Sequence, residues 1–225
     1  MSAVSWLLPL TVLLKVNETF RNKFFSKVFM EILAPIFPNL ESLRKRPFEI
    51  LQEHLPNRKL STPLEILEIG IGGGGNLEYY PENSNLTALD KNDTFSKYFE
   101  DNKKKFSHVT YKKTVCSMAE NMEVIEDSSM DVVISTFVLC SVEDIEAVIR
   151  EVKRVLKPGG KFLFSEHVAY PDSHLGSKVQ NFAAPLWKLF FDGCILNRKI
   201  AEEIRKGGFS NVECENILPK RSLKS

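Results

Sequence analysis

Leu64-Glu65-Ile66-Leu67-Glu68-Ile69-Gly70-Ile71-Gly72-Gly73-Gly74-Gly75-Asn76 is the stretch that decides the fold. Its apolar half reads as a strand of an open sheet. A glycine run follows at once, and glycine lets a chain turn sharply off a sheet and bring bare backbone against a ligand. Backbone N–H groups at the start of the helical segment that follows can hold an anionic group. About 20 residues on, Asp90 ends a second apolar run, where a carboxylate can accept hydrogen bonds from both hydroxyls of a ribose. Gly70, Gly72 and Gly75 satisfy the G-x-G-x-x-G fingerprint of dinucleotide sites. Gly70, Gly72 and Gly74 equally satisfy an E/D-x-G-x-G-x-G loop, so these residues alone leave two readings open, with a ligand-free turn as a third.

Outward from this turn, strands and helices alternate from Pro63 onward. The pattern predicts a doubly wound α/β domain with a mostly parallel sheet. Strands are expected at Glu65–Ile69, Leu86–Leu89, Val109–Thr114, Asp131–Phe137, Lys161–Glu166 and Val212–Ile217. The clearest helix is Val142–Leu156, with Ser141 as its cap and Ile145, Val148, Ile149, Val152 and Val155 as its buried stripe. It should stop at Lys157-Pro158-Gly159-Gly160. A last helix is expected at about Arg198–Lys206.

The chain has 225 residues, enough for one such domain with a short appendage. Its net charge of +1 gives no bulk reason to expect nucleic acid as a partner. The charge is uneven: up to Leu60 there are about nine Lys/Arg against five Asp/Glu. Cys116, Cys140, Cys194 and Cys214 show neither metal-ligand spacing nor a secreted disulfide framework, so no metal site is expected and the thiols read as small core residues.

Residues 1–40 read as an attachment segment ahead of a catalytic domain at 41–225. Met1–Leu14 is apolar but broken by Pro9 and shorter than the ~20 residues a spanning helix needs. Phe20, Phe24, Phe25, Val28, Phe29, Ile32, Leu33, Ile36 and Phe37 then recur at helical spacing, with Arg21, Lys23 and Lys27 between them. That pattern predicts a helix lying in a membrane interface, or a lid over the cleft of the domain.

Downstream motifs decide between the two readings of the glycine turn. Glu120-Asn121-Met122 followed by Asp127-Ser128-Ser129-Met130-Asp131-Val132-Val133 resembles the approach to the fourth strand of class I S-adenosylmethionine-dependent methyltransferases. Arg154-Val155-Leu156-Lys157-Pro158-Gly159-Gly160 resembles the turn before their fifth strand. Further likeness lies in Val138-Leu139-Cys140-Ser141-Val142, Ser165-Glu166-His167-Val168 and Leu189-Phe190-Phe191-Asp192-Gly193-Cys194. With these the chain resembles the membrane-attached thiol methyltransferases of the methyltransferase-like seven family.

The resemblance implies methyl transfer from S-adenosylmethionine to small alkyl thiols and attachment to endoplasmic reticulum or lipid droplets through the N-terminus; the domain is expected on the cytosolic face, as a monomer. It implies that Gly70, Gly72 and Gly74 approach the methionyl part of the cofactor, Glu68 faces its ammonium and Asp90 holds the ribose. Met118 stands where many relatives carry an acid for the adenine amine, which leaves adenine to Ala119, Glu120 and their backbone. The last antiparallel strand of such sheets, between strands five and six, has no counterpart before Ser225. His167 is the candidate base, with a structurally satisfied histidine as the plainer alternative. Asp192 is expected either to orient it or to cap a turn, and Trp187, Phe190 and Phe191 either to line an acceptor site or to form a core stripe. A lipid or quinone-like acceptor, and an inactive cofactor-binding protein, are the other functions these motifs allow.

Overall fold

The computed structural model describes residues 4–36, 40–55 and 61–216. Five parallel strands form one sheet: β1 (Leu64–Ile69), β2 (Ser84–Asp90), β3 (Val109–Cys116), β4 (Met130–Thr136) and β5 (Leu156–Ser165), in the order β3-β2-β1-β4-β5. Strand order reverses between β1 and β4, and ligands of open α/β sheets bind at the carboxyl edge of that switch point. Ile69 pairs with Leu89 on one side and Ser135 on the other, so the glycine turn, Asp90 and the segment after β4 emerge side by side.

Alternation along the strands builds a core on each face of the sheet. Leu67, Ile69 and Val133 point to one face. There they bury Val148, Ile149, Val152 and Val155 of helix α6 (Ile145–Val155) and Ile200 and Ile204 of α8 (Ile200–Lys206). Leu64, Ile66, Val132 and Ile134 point to the other, against Phe99 of α5 (Ser96–Lys103) and Phe48 and Leu51 of α4 (Leu40–Glu53). Burying such side chains contributes about 1.5–3 kcal/mol each.

Several expectations need correction: α6 starts at Ile145 rather than Val142, and β5 starts at Leu156 rather than Lys161. The cap of α6 is Asp144, whose carboxylate accepts from the Ala147 amide at 3.0 Å; Ser141 instead closes a turn onto the Val138 carbonyl. The last helix begins at Ile200 rather than Arg198. No strand forms over residues 212–216, and Ile217 lies outside the described residues. Among the described residues β5 is therefore the sheet edge, with α4 packed against it.

The N-terminal segment is helical: α1 (Val4–Val16), α2 (Glu18–Val28), a π turn at Phe29–Leu33 and α3 (Ala34–Ile36). Its aromatic face packs on the domain. Phe25 and Phe29 meet the Phe95 ring at 5.9 and 6.3 Å, and Phe24 lies 6.5 Å from Phe190 of α7 (Leu175–Phe190). Phe37 lies outside the described residues. No helix among the described residues is long and apolar enough to cross a membrane.

Candidate active site

One cavity of about 1580 Å³ opens at the carboxyl edge of the sheet, larger than the ~300–1,000 Å³ usual for one small ligand. The glycine turn forms one wall, and α2 with the π turn covers it.

Gly70, Gly72 and Gly74 all hold positive φ. A Cβ on Gly70 would collide with Val138, and one on Gly74 would lie 2.8 Å from Leu77, so both positions serve packing. A Cβ on Gly72 would meet nothing within 4 Å. That stretch of bare backbone faces space a ligand can fill. Beside it the Asp90 carboxylate accepts from the Gly72 amide and from the Asn92 amide, each at 2.8 Å. Burial raises the pKa of Asp90 above the usual range, and the two amides oppose the shift.

Glu68 lies buried at the end of β1, where it accepts hydrogen bonds from the Asn76 side-chain amide at 2.8 Å and from the Tyr80 hydroxyl. Burial pushes its pKa up to about 8 against the pull of these two donors. The Asn76 Oδ1 atom is buried without a hydrogen-bond partner. A buried carboxyl, an orphaned acceptor, an uncrowded stretch of glycine backbone and a second carboxylate fit a ligand bearing an ammonium and a ribose. They fit S-adenosylmethionine. On the far side of Asp90, Met118, buried Ala119 and Glu120 line the same cavity, with Glu120 accepting from the Glu143 amide at 2.7 Å.

The other half of the cavity is aromatic and sulfur-rich. His167, just past β5, is stacked on Phe137 at 4.8 Å, and its Nδ1 is 3.6 Å from the Cys194 sulfur. Phe137 takes φ 57, an uncommon conformation for a bulky residue, and that turn carries its ring to the imidazole. Cys140 completes a cluster in which both sulfurs and a His167 ring nitrogen lie within 4.8 Å of one another. The Cys194 thiol is held down to about 5, by Cys140 first and then by His167, while burial works against it. Cys140 is pushed up, first by Cys194 and then by burial. For His167, burial pulls the pKa down, but the Cys194 thiolate outweighs it and the net shift is upward.

Asp192 is not brought to the imidazole. Its carboxylate pairs with Lys91 at 3.4 Å, at a cavity-lining position with φ 49. Trp187 and Phe191 line the cavity, stacked on each other at 3.8 Å, whereas Phe190 packs on Phe24.

Two site residues escape a reading of the sequence. Asn76 shows there only as the end of the glycine turn. The Glu166 carboxyl is buried, with Oε1 accepting from the Ser135 hydroxyl at 2.6 Å and from the Val138 and Leu139 amides at 3.1 Å each. It thereby fixes the loop that carries Phe137 and Cys140.

Fold and site together define a class I S-adenosylmethionine-dependent methyltransferase. Residues 67–164 match the family model described as a methyltransferase domain. The fold recurs in a methyltransferase of Thermotoga maritima, described as a possible histamine N-methyltransferase. That structure superposes with a TM-score of 0.52 at 18% identity, covering 84% of this chain and 81% of that one. The YcgJ protein of Bacillus subtilis gives a TM-score of 0.54 at 20% identity, over 70% and 64%.

The chain belongs to the thiol S-methyltransferase family. It is 38% identical to human thiol S-methyltransferase TMT1A over 87% of its own length and 79% of the relative's. With the rat enzyme TMT1B it shares 34% identity over 92% and 84%.

Proposed function

We propose that this protein transfers the methyl group of S-adenosylmethionine to the sulfur of a small, largely apolar thiol. One observation carries the reading: a single cavity joins the Gly72–Asp90 cradle to an aromatic wall that ends in His167 and two cysteines. In this reading Asp90 holds the ribose hydroxyls, Glu68 and Asn76 Oδ1 face the ammonium, and Met118, Ala119 and Glu120 lie along the adenine. The cofactor supplies an electrophilic methyl on a sulfonium sulfur. Phe137, Trp187 and Phe191 seat the acceptor's apolar part, and orientation of this kind is worth up to ~7–11 kcal/mol in good geometry.

A free thiol near pKa 8.5 is only a few per cent thiolate at neutral pH, so its ionisation must be helped. The His167 cluster stands where that help is needed. Asp192, paired with Lys91 on the cavity wall, acts as a positioning residue. Cys140 and Cys194 form no covalent intermediate, since direct transfer needs none.

The test is methyl transfer by the purified chain to a panel of small alkyl thiols beside a phenolic acceptor. A thioether product from the thiols alone is expected. Product from the phenol alone, or from neither, overturns the proposal.

We further propose that the protein works as a monomer on a cytosol-facing membrane surface, endoplasmic reticulum or lipid droplet, with the N-terminal segment as its attachment and α2 with the π turn as roof. Leu8, Val12 and Val16 form an exposed apolar stripe on α1. Leu175, Val179, Phe182 and Leu186 form a second on α7, which packs against α1. Two adjoining helices with such stripes present the apolar face of an interfacial element.

A further inference from the structure

We propose that Cys140, His167 and Cys194 form a binding site for a soft divalent cation of the Zn2+ type, whose remaining position receives the sulfur of the acceptor thiol. This deepens the proposed thiol methylation and rests on it.

The three ligand atoms lie within 4.8 Å of one another. Tetrahedral zinc binds thiolate sulfur at about 2.3 Å and imidazole nitrogen at about 2.1 Å, which separates the two ligand atoms by about 3.6 Å. The Cys194 sulfur and His167 Nδ1 stand 3.6 Å apart. Two sulfurs and one nitrogen are the ligand softness such a cation selects, and three protein ligands with one open position make a catalytic site rather than a structural one.

The supports are built in. The Ile195 amide donates to the Cys140 carbonyl at 2.8 Å and so fastens the two cysteine loops together. Glu166 holds the Val138 and Leu139 amides, and Phe137 fixes the plane of the imidazole. Groups of this kind orient ligands around metals. All three side chains line the cavity, so the open position faces the substrate space.

The chemistry balances without an oxidant or reductant. On ligation the acceptor R–SH releases its proton to solvent and is held as thiolate at neutral pH, because a metal-bound thiol is deprotonated outright. The thiolate sulfur then forms a bond to the methyl carbon as the bond from that carbon to the sulfonium sulfur breaks. The breaking pair returns to that sulfur, leaving a neutral thioether as by-product. The methylated acceptor is also a neutral thioether, a weak ligand that leaves the cation. His167 thereby acts as a ligand and not as the base.

The test uses the full chain, reduced and stripped of metal, titrated with Co2+ and then Zn2+. One equivalent of Co2+ should give a thiolate-to-cobalt charge-transfer band with tetrahedral d–d absorption, both erased by Zn2+. Cys140→Ser and Cys194→Ser should each lose the charge-transfer intensity of one sulfur. His167→Ala should weaken Zn2+ at least about 100-fold, beyond the effect of outer-shell partners, and Cys214→Ser should change nothing. Circular dichroism establishes that each variant is folded. An alkyl thiol should shift the d–d bands, and the alcohol of the same shape should not.

Absence of the bands at one equivalent overturns the site, as does an unchanged spectrum in Cys194→Ser or recovery of a Cys140–Cys194 disulfide from reduced protein. If the bands appear but no thiol is methylated, the cation site stands and the acceptor assignment fails. If thiols are methylated by a chain that gives no bands, the acceptor assignment stands and the cation site fails.

Discussion

The Gly72 amide and the Asp90 carboxylate are joined by a hydrogen bond of 2.8 Å across the carboxyl edges of β1 and β2. One oxygen is thus tied to the turn, and the other is held by the Asn92 amide on the following loop. The carboxylate is thereby held in one orientation, and fixing a binding group in this way lowers the entropy lost on binding.

Asp90→Ala should therefore abolish heat release on titration with S-adenosylmethionine while the fold persists. Asp90→Asn keeps an oxygen for the Gly72 amide but loses the charge. Hydrogen bonds to charged groups contribute about 1.5–3 kcal/mol, so binding should weaken by roughly 10- to 100-fold. Equal affinities of Asp90→Asn and the parent would remove Asp90 from the site.

The glycines of the turn should separate into two classes. Gly72→Ala has free space for its methyl and loses about 1 kcal/mol to left-handed backbone, yet it should block the cofactor. Gly70→Ala drives a methyl into Val138 and should add about 1–3 kcal/mol of overpacking to the same backbone strain. Thermal melts and calorimetry on the two variants check this pairing.

Glu68 predicts a pH dependence of stability. In the fold it keeps its proton up to about 8, whereas the unperturbed side chain releases it at 4.5. Between those values the folded state holds the extra proton, so stability is fully present below the lower value and falls as pH rises through the upper one. At about 1.4 kcal/mol per unit, the loss by pH 9 should reach a few kcal/mol. Glu68→Gln should flatten this dependence in chemical denaturation at pH 5, 7 and 9. S-adenosylmethionine should flatten it in the parent, because an ammonium facing Glu68 favours the ionised form.

Phe182 is 87% exposed on α7. Phe182→Asp combined with Val179→Asp should change stability by no more than about 0.5 kcal/mol, as expected of surface sites. If α7 shares in membrane attachment, the same pair should sharply reduce flotation of the chain with phospholipid vesicles. Undiminished flotation would assign attachment to other segments.

What is legible in the sequence is what the chain builds locally. Leu64–Ile69 and Asp90 lie on neighbouring strands, and the spacing from the glycine turn to Asp90 carries the turn, the sheet edge and the acid together. The stripe from Ile145 to Val155 carries the helix that covers β1 and β4. The Cys140–His167–Cys194 cluster is not legible, because its members come from three loops that only the folded sheet edge brings together. Nor is the direction of the Phe20–Phe29 face: amphipathicity marks an apolar surface without saying what covers it, and here Phe95 and Phe190 do. The run that starts at Val212 has the alternation of a strand, but a strand also needs a neighbour to pair with, which alternation does not supply.

Asn92 joins two features that otherwise look separate. Its amide N–H steadies Asp90, while its side chain donates to the Asn22 carbonyl of α2 at 3.3 Å, and the neighbouring Thr94 hydroxyl lies 2.9 Å from that of Ser26. The Asp90 carboxylate and the roof of the cavity thus share one strut. A donor seated on Asp90 is expected to stiffen the cover through this strut, so that donor should bind before acceptor; initial-rate kinetics showing random order would exclude the coupling. Competitive blockers of the acceptor end should accordingly hold tighter once the donor is in place.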